Sequence, residues 1–139
     1  MYSDKNLVHI LTILEATEKI YLYVRGIKTA DDFLWHDDQK NFNASVALLI
    51  AIGEETKKIN DSLKKEFPEI NWSAIAGMRD RLAHHYRGID PEITWELINN
   101  NLDELKSTLI DMLPKIKFER NMLLAALDSE YYKHLKYLR

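Results

Sequence analysis

Apolar residues recur along this chain at spacings of three and four. Leu7, Ile10, Leu14, Tyr21 and Val24 follow that period and Leu11 and Ile20 widen the stripe, so residues 4–25 are expected to form an amphipathic helix that Gly26 closes. A polar turn is expected around residues 29–38. Phe42, Val46, Leu49 and Ile50 then open a second long helix, expected to run through Ile52, Ile59 and Leu63 to Phe67-Pro68. Asn71 is placed to cap a third helix from Trp72 to Arg87, with Gly88 ending it in the left-handed conformation. Asp90-Pro91-Glu92 is the clearest start signal, with an N-cap acid, proline at the first helical position and a second acid facing the helix dipole. From there Trp95, Ile98, Leu102, Leu105, Leu109 and Met112 keep a heptad seam until Pro114. A shorter fifth segment carries Phe118, Met122, Leu127, Tyr131 and Leu135. No alternating strand pattern, repeat or glycine-rich phosphate loop interrupts this series.

Helices of this length with short connections and one apolar stripe each are expected to pack as an all-α, up-and-down bundle of four main helices plus a C-terminal one. Its 139 residues suit a single domain, 1–139. A composition of 46% hydrophobic and 29% charged residues is that of a globular chain, not a disordered one. Cysteine is absent, which excludes disulfides, thiolate metal sites and cysteine nucleophiles. Without an export-signal pattern or an apolar run near ~20 residues, the chain reads as cytoplasmic and not membrane-bound. A net charge of −3 offers no global attraction to nucleic acid, so contact with RNA requires a local basic patch.

The third helix carries such a patch. Between Arg79 and Arg87 three arginines face one aspartate. Trp72, Ile75, Ala76, Leu82, Ala83 and Tyr86 are expected on one face, with Arg79 in its middle. A guanidinium in an apolar stripe costs several kcal/mol unless a carboxylate, a phosphate or water receives it. A structural ion pair with Glu54 or Glu55 of the preceding helix satisfies that requirement, and so does an active site. His84 can move protons near neutral pH, and Asp80, one turn earlier, is spaced to orient its ring. Arg79 and His84 are five residues apart, on rather different faces of an ideal helix, so a shared site calls for a loosened helix end, bent side chains or two chains pooling residues across a two-fold interface; the dimer is the favoured reading. Tyr86 by itself also reads as a core aromatic. The pair His84-His85 and the turn with His36, Asp37 and Asp38 lack fixed ligand geometry, so no metal site and no cofactor are expected.

Arg79, four residues, His84, one residue and Tyr86 reproduce the R-x4-H-x-Y motif, and the chain here resembles the HepT toxins of the HEPN superfamily, once catalogued as a domain of unknown function. The stretches Ile52-Gly53-Glu54-Glu55, Pro68-Glu69-Ile70-Asn71-Trp72, Ala76-Gly77-Met78-Arg79-Asp80 and Tyr86-Arg87-Gly88-Ile89-Asp90 through Trp95 resemble family signatures in family order, over roughly residues 5–115. Residues 116–139 match less well and read as an added helical tail. The resemblance implies the toxin of a type VII toxin–antitoxin pair: a metal-independent endoribonuclease in which the ribose 2′-hydroxyl attacks its own phosphodiester. Arg79 and His84 would be catalytic and Asp80 supporting, with Arg81, His85 and Arg87 as RNA-binding candidates. It further implies a homodimer, a minimal nucleotidyltransferase antitoxin as partner, and transfer of AMP from ATP to Tyr86 as the neutralising step. The alternative is a non-catalytic HEPN subunit that only docks the nucleotidyltransferase.

Overall fold

The first apolar stripe folds as α1, Lys5–Tyr23, in a computed structural model that describes residues 1–85 and 88–139. Leu7, Ile10, Leu11, Ile13, Leu14 and Ile20 of this helix are all buried, and Gly26 turns the chain away at φ +81°, a conformation that side chains with a Cβ resist. The region expected to be a polar turn contains a helix, α2, Ala30–Trp35. Thr29 caps it by accepting from the Asp32 amide at 3.0 Å, and burial of Ala30 and Phe33 holds it to the core. Six residues are too few for periodicity to reveal. Asp37, Asp38 and Gln39 then take positive φ in succession before α3, Lys40–Lys58.

The expected second helix does not continue to Phe67. It breaks at Ile59 and Asn60, whose ψ angles are 139° and 129°, and α4, Asp61–Lys65, starts afresh. Asn60 causes the break by offering its side chain to the amides of Ser62 and Leu63, the competition with helical backbone that makes asparagine a cap. Its own amide donates to Asn6 of α1 at 2.9 Å. α5 spans Trp72–His84, and α6, Pro91–Asn100, begins as expected, with Asp90 accepting from the amides of Glu92 and Ile93. The heptad seam is interrupted at Asn101, which closes α6 and opens α7, Leu102–Met112. Three consecutive asparagines, 99 to 101, weaken the helix there. The last segment is helical only over α8, Arg120–Asp128, followed by single 3-10 turns at Glu130–Tyr132 and Lys136–Leu138.

These elements form an all-α bundle; among the described residues there is no β-strand, only an isolated bridge between Tyr2 and Ile116. The long helix α3 lies at its centre, with α1 and α5 packed on it. One continuous core runs from Leu7 to Leu135 and includes Leu123, Leu127 and Leu135 of the tail. Each fully buried leucine or isoleucine contributes about 1.5–3 kcal/mol. The tail is pinned across α1 by polar contacts as well: the Tyr132 hydroxyl with Thr12 at 3.1 Å, His134 with Glu15, and Tyr137 donating to Glu18 at 2.8 Å. Among the described residues no helix is long and apolar enough to cross a membrane.

Candidate functional site

The motif helix is anchored at both of its approaches to the bundle. Asn71 caps α5 by accepting from the Ala74 amide, while the Trp72 indole donates to the carbonyls of Lys64 and Phe67 at 3.0 and 3.1 Å. Farther along, Gly53 of α3 lets α5 come into direct backbone approach. A Cβ at position 53 would fall 2.9 Å from Arg79 Cγ and nearer still to its Cβ. Absence of a side chain at Gly53 therefore sets where Arg79 starts.

The apolar face of α5 is not the expected one. Met78 and Leu82 are its buried residues, Trp72, Ile75 and Ala76 are half-buried, and Ala83 is exposed. Arg79 thus lies at the margin of the contact with α3, its side chain 25% exposed, not in the middle of a buried stripe. The requirement for a charge partner is met all the same. Arg79 forms an ion pair through Nε with Glu54, and its guanidinium also donates to Asp80 Oδ1 at 3.0 Å. Asp80 accepts in turn from Lys57 Nζ at 3.1 Å. Lys57 first and Arg79 second hold the Asp80 carboxyl below the usual carboxylate range. Glu55 turns the other way and pairs with His9 of α1 at 2.7 Å and with Lys58 at 3.4 Å.

Asp80, expected to orient His84, is instead committed to Lys57 and Arg79; no ion pair or hydrogen bond joins it to His84. His84 is the last residue of α5 and is exposed, as are Arg81 and the C-cap residue His85. Five residues of helix turn His84 about 140° away from Arg79. Within one chain Arg79 faces α3 while His84 faces outward. Tyr86 and Arg87 lie outside the described residues. Two residues were not read as part of the site: Lys57 and, as the contact point for Arg79, Gly53. A lysine three positions after Glu54 and a glycine directly before it were the available signals. Among the described residues no group of three or more histidines and carboxylates is arranged to hold a metal ion.

An all-α bundle in which one helix carries the arginine of an arginine-histidine motif against its neighbour and the histidine at its exposed end is of the HEPN type. The ribonuclease HepT-like family model matches residues 13–112, and the chain belongs to that family. A protein of Thermococcus cleftensis named "Probable ribonuclease HepT" is 38% identical over 94 residues, covering 68% of this chain and 83% of the relative. A protein of Caldanaerobacter subterraneus subsp. tengcongensis, named as an RNase candidate, is 34% identical over 105 residues, 76% of this chain and 91% of its own. No solved structure matches the chain.

Proposed function

We propose that this member of the family is the toxin of a type VII toxin–antitoxin pair and a metal-independent endoribonuclease. The observation that carries the reading is the second half of α5, where Arg79 is anchored on α3 and His84, at the helix end, is open to solvent. In the reaction the 2′-hydroxyl oxygen attacks the adjacent phosphorus and the bond to the 5′-oxygen breaks. The products are a 2′,3′-cyclic phosphate and a 5′-hydroxyl end. His84 takes or returns the proton, and Arg79 exchanges a carboxylate for the phosphorane oxygens, whose charge its planar fork of donors matches. Since Arg79 and His84 point apart in one chain, two copies related by a two-fold axis supply the arginine and histidine of one cleft. Arg81, His85 and Arg87 extend the basic surface along the RNA. The antitoxin is a minimal nucleotidyltransferase that moves AMP from ATP to the Tyr86 hydroxyl with release of pyrophosphate, adding negative charge beside the arginines.

The carboxylates that already surround Arg79 favour the other reading, a non-catalytic subunit in which the arginine is structural. Cleavage of a labelled single-stranded RNA by the purified chain in the presence of a chelator separates the two. The enzyme reading expects cleavage that falls by about 10² or more in His84→Ala with the helical circular dichroism unchanged. Absence of cleavage by the unaltered protein would leave the docking subunit.

A further inference from the structure

One oxygen atom beside the motif arginine takes two cations. Asp80 Oδ1 accepts from Lys57 Nζ of α3 at 3.1 Å and from the Arg79 guanidinium of α5 at 3.0 Å. The donors come from different helices and converge on a single point. Packing of α5 does not impose this. Side chains one residue apart diverge by about 100° on a helix, so Arg79 and Asp80 meet only because the guanidinium bends toward the carboxylate. Among the described residues these two cations are the only partners of Asp80.

The other carboxylate on Arg79 is held differently. Glu54 follows Gly53, on the turn of α3 against which the arginine packs, and pairs with Nε at the base of the guanidinium. Its side chain is 39% exposed, against 54% for Asp80. Rotation of the Asp80 side chain into solvent therefore frees Lys57 and Arg79 together, while Glu54 keeps the arginine in place. Exposed pairs of this kind contribute little, so their release costs little. The charges fit an exchange as well. Lys57 and Arg79 balance Glu54 and Asp80 in the free chain, and turning Asp80 away leaves one positive charge, the complement of one phosphodiester. The ammonium and the fork of guanidinium donors suit phosphate oxygens.

We propose that Lys57 and Arg79 form a seat for one backbone phosphate of an RNA strand, and that Asp80 fills this seat in the free protein as an internal substitute for the phosphate. The proposal rests on the RNA reading of the site and deepens it. α3 supplies Lys57 as a substrate-binding residue, and Asp80 competes with the substrate instead of supporting the reaction. The seat is complete within one chain, whereas the histidine that moves the proton comes from the second copy.

The test uses the full chain and a short fluorescein-labelled 2′-fluoro RNA, followed by anisotropy. This strand has no 2′-hydroxyl and cannot be cut, so affinity is read apart from catalysis. Lys57→Gln is expected to lose about fivefold in affinity, and the slope of log affinity against log salt should flatten by about 0.7, the share of one single-strand phosphate contact. Lys58→Gln removes the same charge from a lysine that pairs with Glu55, away from Arg79, and should lose no more than about twofold. Asp80→Asn, which keeps the shape, should bind about threefold more tightly, with a smaller gain when Lys57→Gln is also present. Equal losses in the two lysine variants overturn the proposal. So does an Asp80→Asn chain that binds no better than the unaltered one, or an unaltered chain that does not bind the strand. Cleavage of ordinary RNA is measured alongside. Binding that depends on Lys57 without cleavage would remove the enzyme and keep the seat; cleavage together with binding indifferent to Lys57 would keep the enzyme and remove the seat.

Discussion

Gly53 and Arg79 meet with no room for a methyl group between them: a Cβ on the glycine would press on both Cβ and Cγ of the arginine. The position of the guanidinium is therefore governed by a residue on another helix. Gly53→Ala is expected to push α5 outward and cost about 1–3 kcal/mol, as overpacking does. RNA cleavage should fall further than the loss of folded protein accounts for, because Arg79 moves with the helix. Urea unfolding and cleavage rates measured on one preparation decide it, and a variant of unchanged stability would show that the contact relaxes freely.

Asp80 makes a prediction about acid. Its carboxyl lies below the usual range because Lys57 and Arg79 favour the charged form. A lowered folded value means that its contribution to stability is present above the unfolded carboxylate range, near pH 4, and disappears as the pH falls through the folded value. The stability difference between the unaltered protein and Asp80→Asn should thus be largest near neutrality and shrink as the pH falls below the ordinary carboxylate range. Denaturant titrations at several pH values measure it; a difference independent of pH would mean that the pairing is not electrostatic.

The tail offers a prediction about burial. Glu15 is only 3% exposed and receives both the His134 backbone amide at 3.2 Å and the His134 ring. His134→Ala removes the ring and leaves a buried carboxylate short of a partner, at an expected cost of about 1.5–3 kcal/mol. In Glu15→Gln, which removes the charge and keeps the shape, the same histidine change should cost less. A double-mutant cycle by urea unfolding reads the coupling directly.

At the alkaline end, Tyr21 and Tyr137 should resist ionisation. Burial raises both phenols first, and hydrogen bonds to Asp103 and Glu18 respectively raise them further. Folding favours the protonated form, so the stabilisation is present below the ordinary tyrosine range, near pH 10, and is lost as the pH rises through the raised values. Ultraviolet titration should show a late phase that shrinks in Tyr21→Phe and again in Tyr137→Phe. A single phase accounting for every tyrosine would contradict it.

Elements with strong local chemistry were legible in the sequence. The start of α6 at Asp90-Pro91 and the cap at Asn71 formed as read, since each depends on residues within one turn. Helix ends set by competing asparagines were not: Asn60 and Asn101 interrupt hydrophobic patterns that continue past them, and periodicity does not register a cap inside a stripe. Short α2 escaped because its evidence for helix is tertiary, through Phe33. At the site, the need of Arg79 for a carboxylate and the candidacy of Glu54 followed from charge and burial alone. The diversion of Asp80 to Lys57 did not, because it depends on how α3 and α5 are rotated against each other, and a helical spacing rule sees only one helix.

The closure of residues 132–137 over α1 joins positions about 119 apart, as between Glu15 and His134. A nascent chain consequently keeps the outer side of its first helix uncovered until Tyr137 has left the ribosome. Until then the molecule lacks the polar seal on Glu15 and the apolar cover from Leu127 and Leu135, so it acquires that part of its stability only once residues 127–137 have been made.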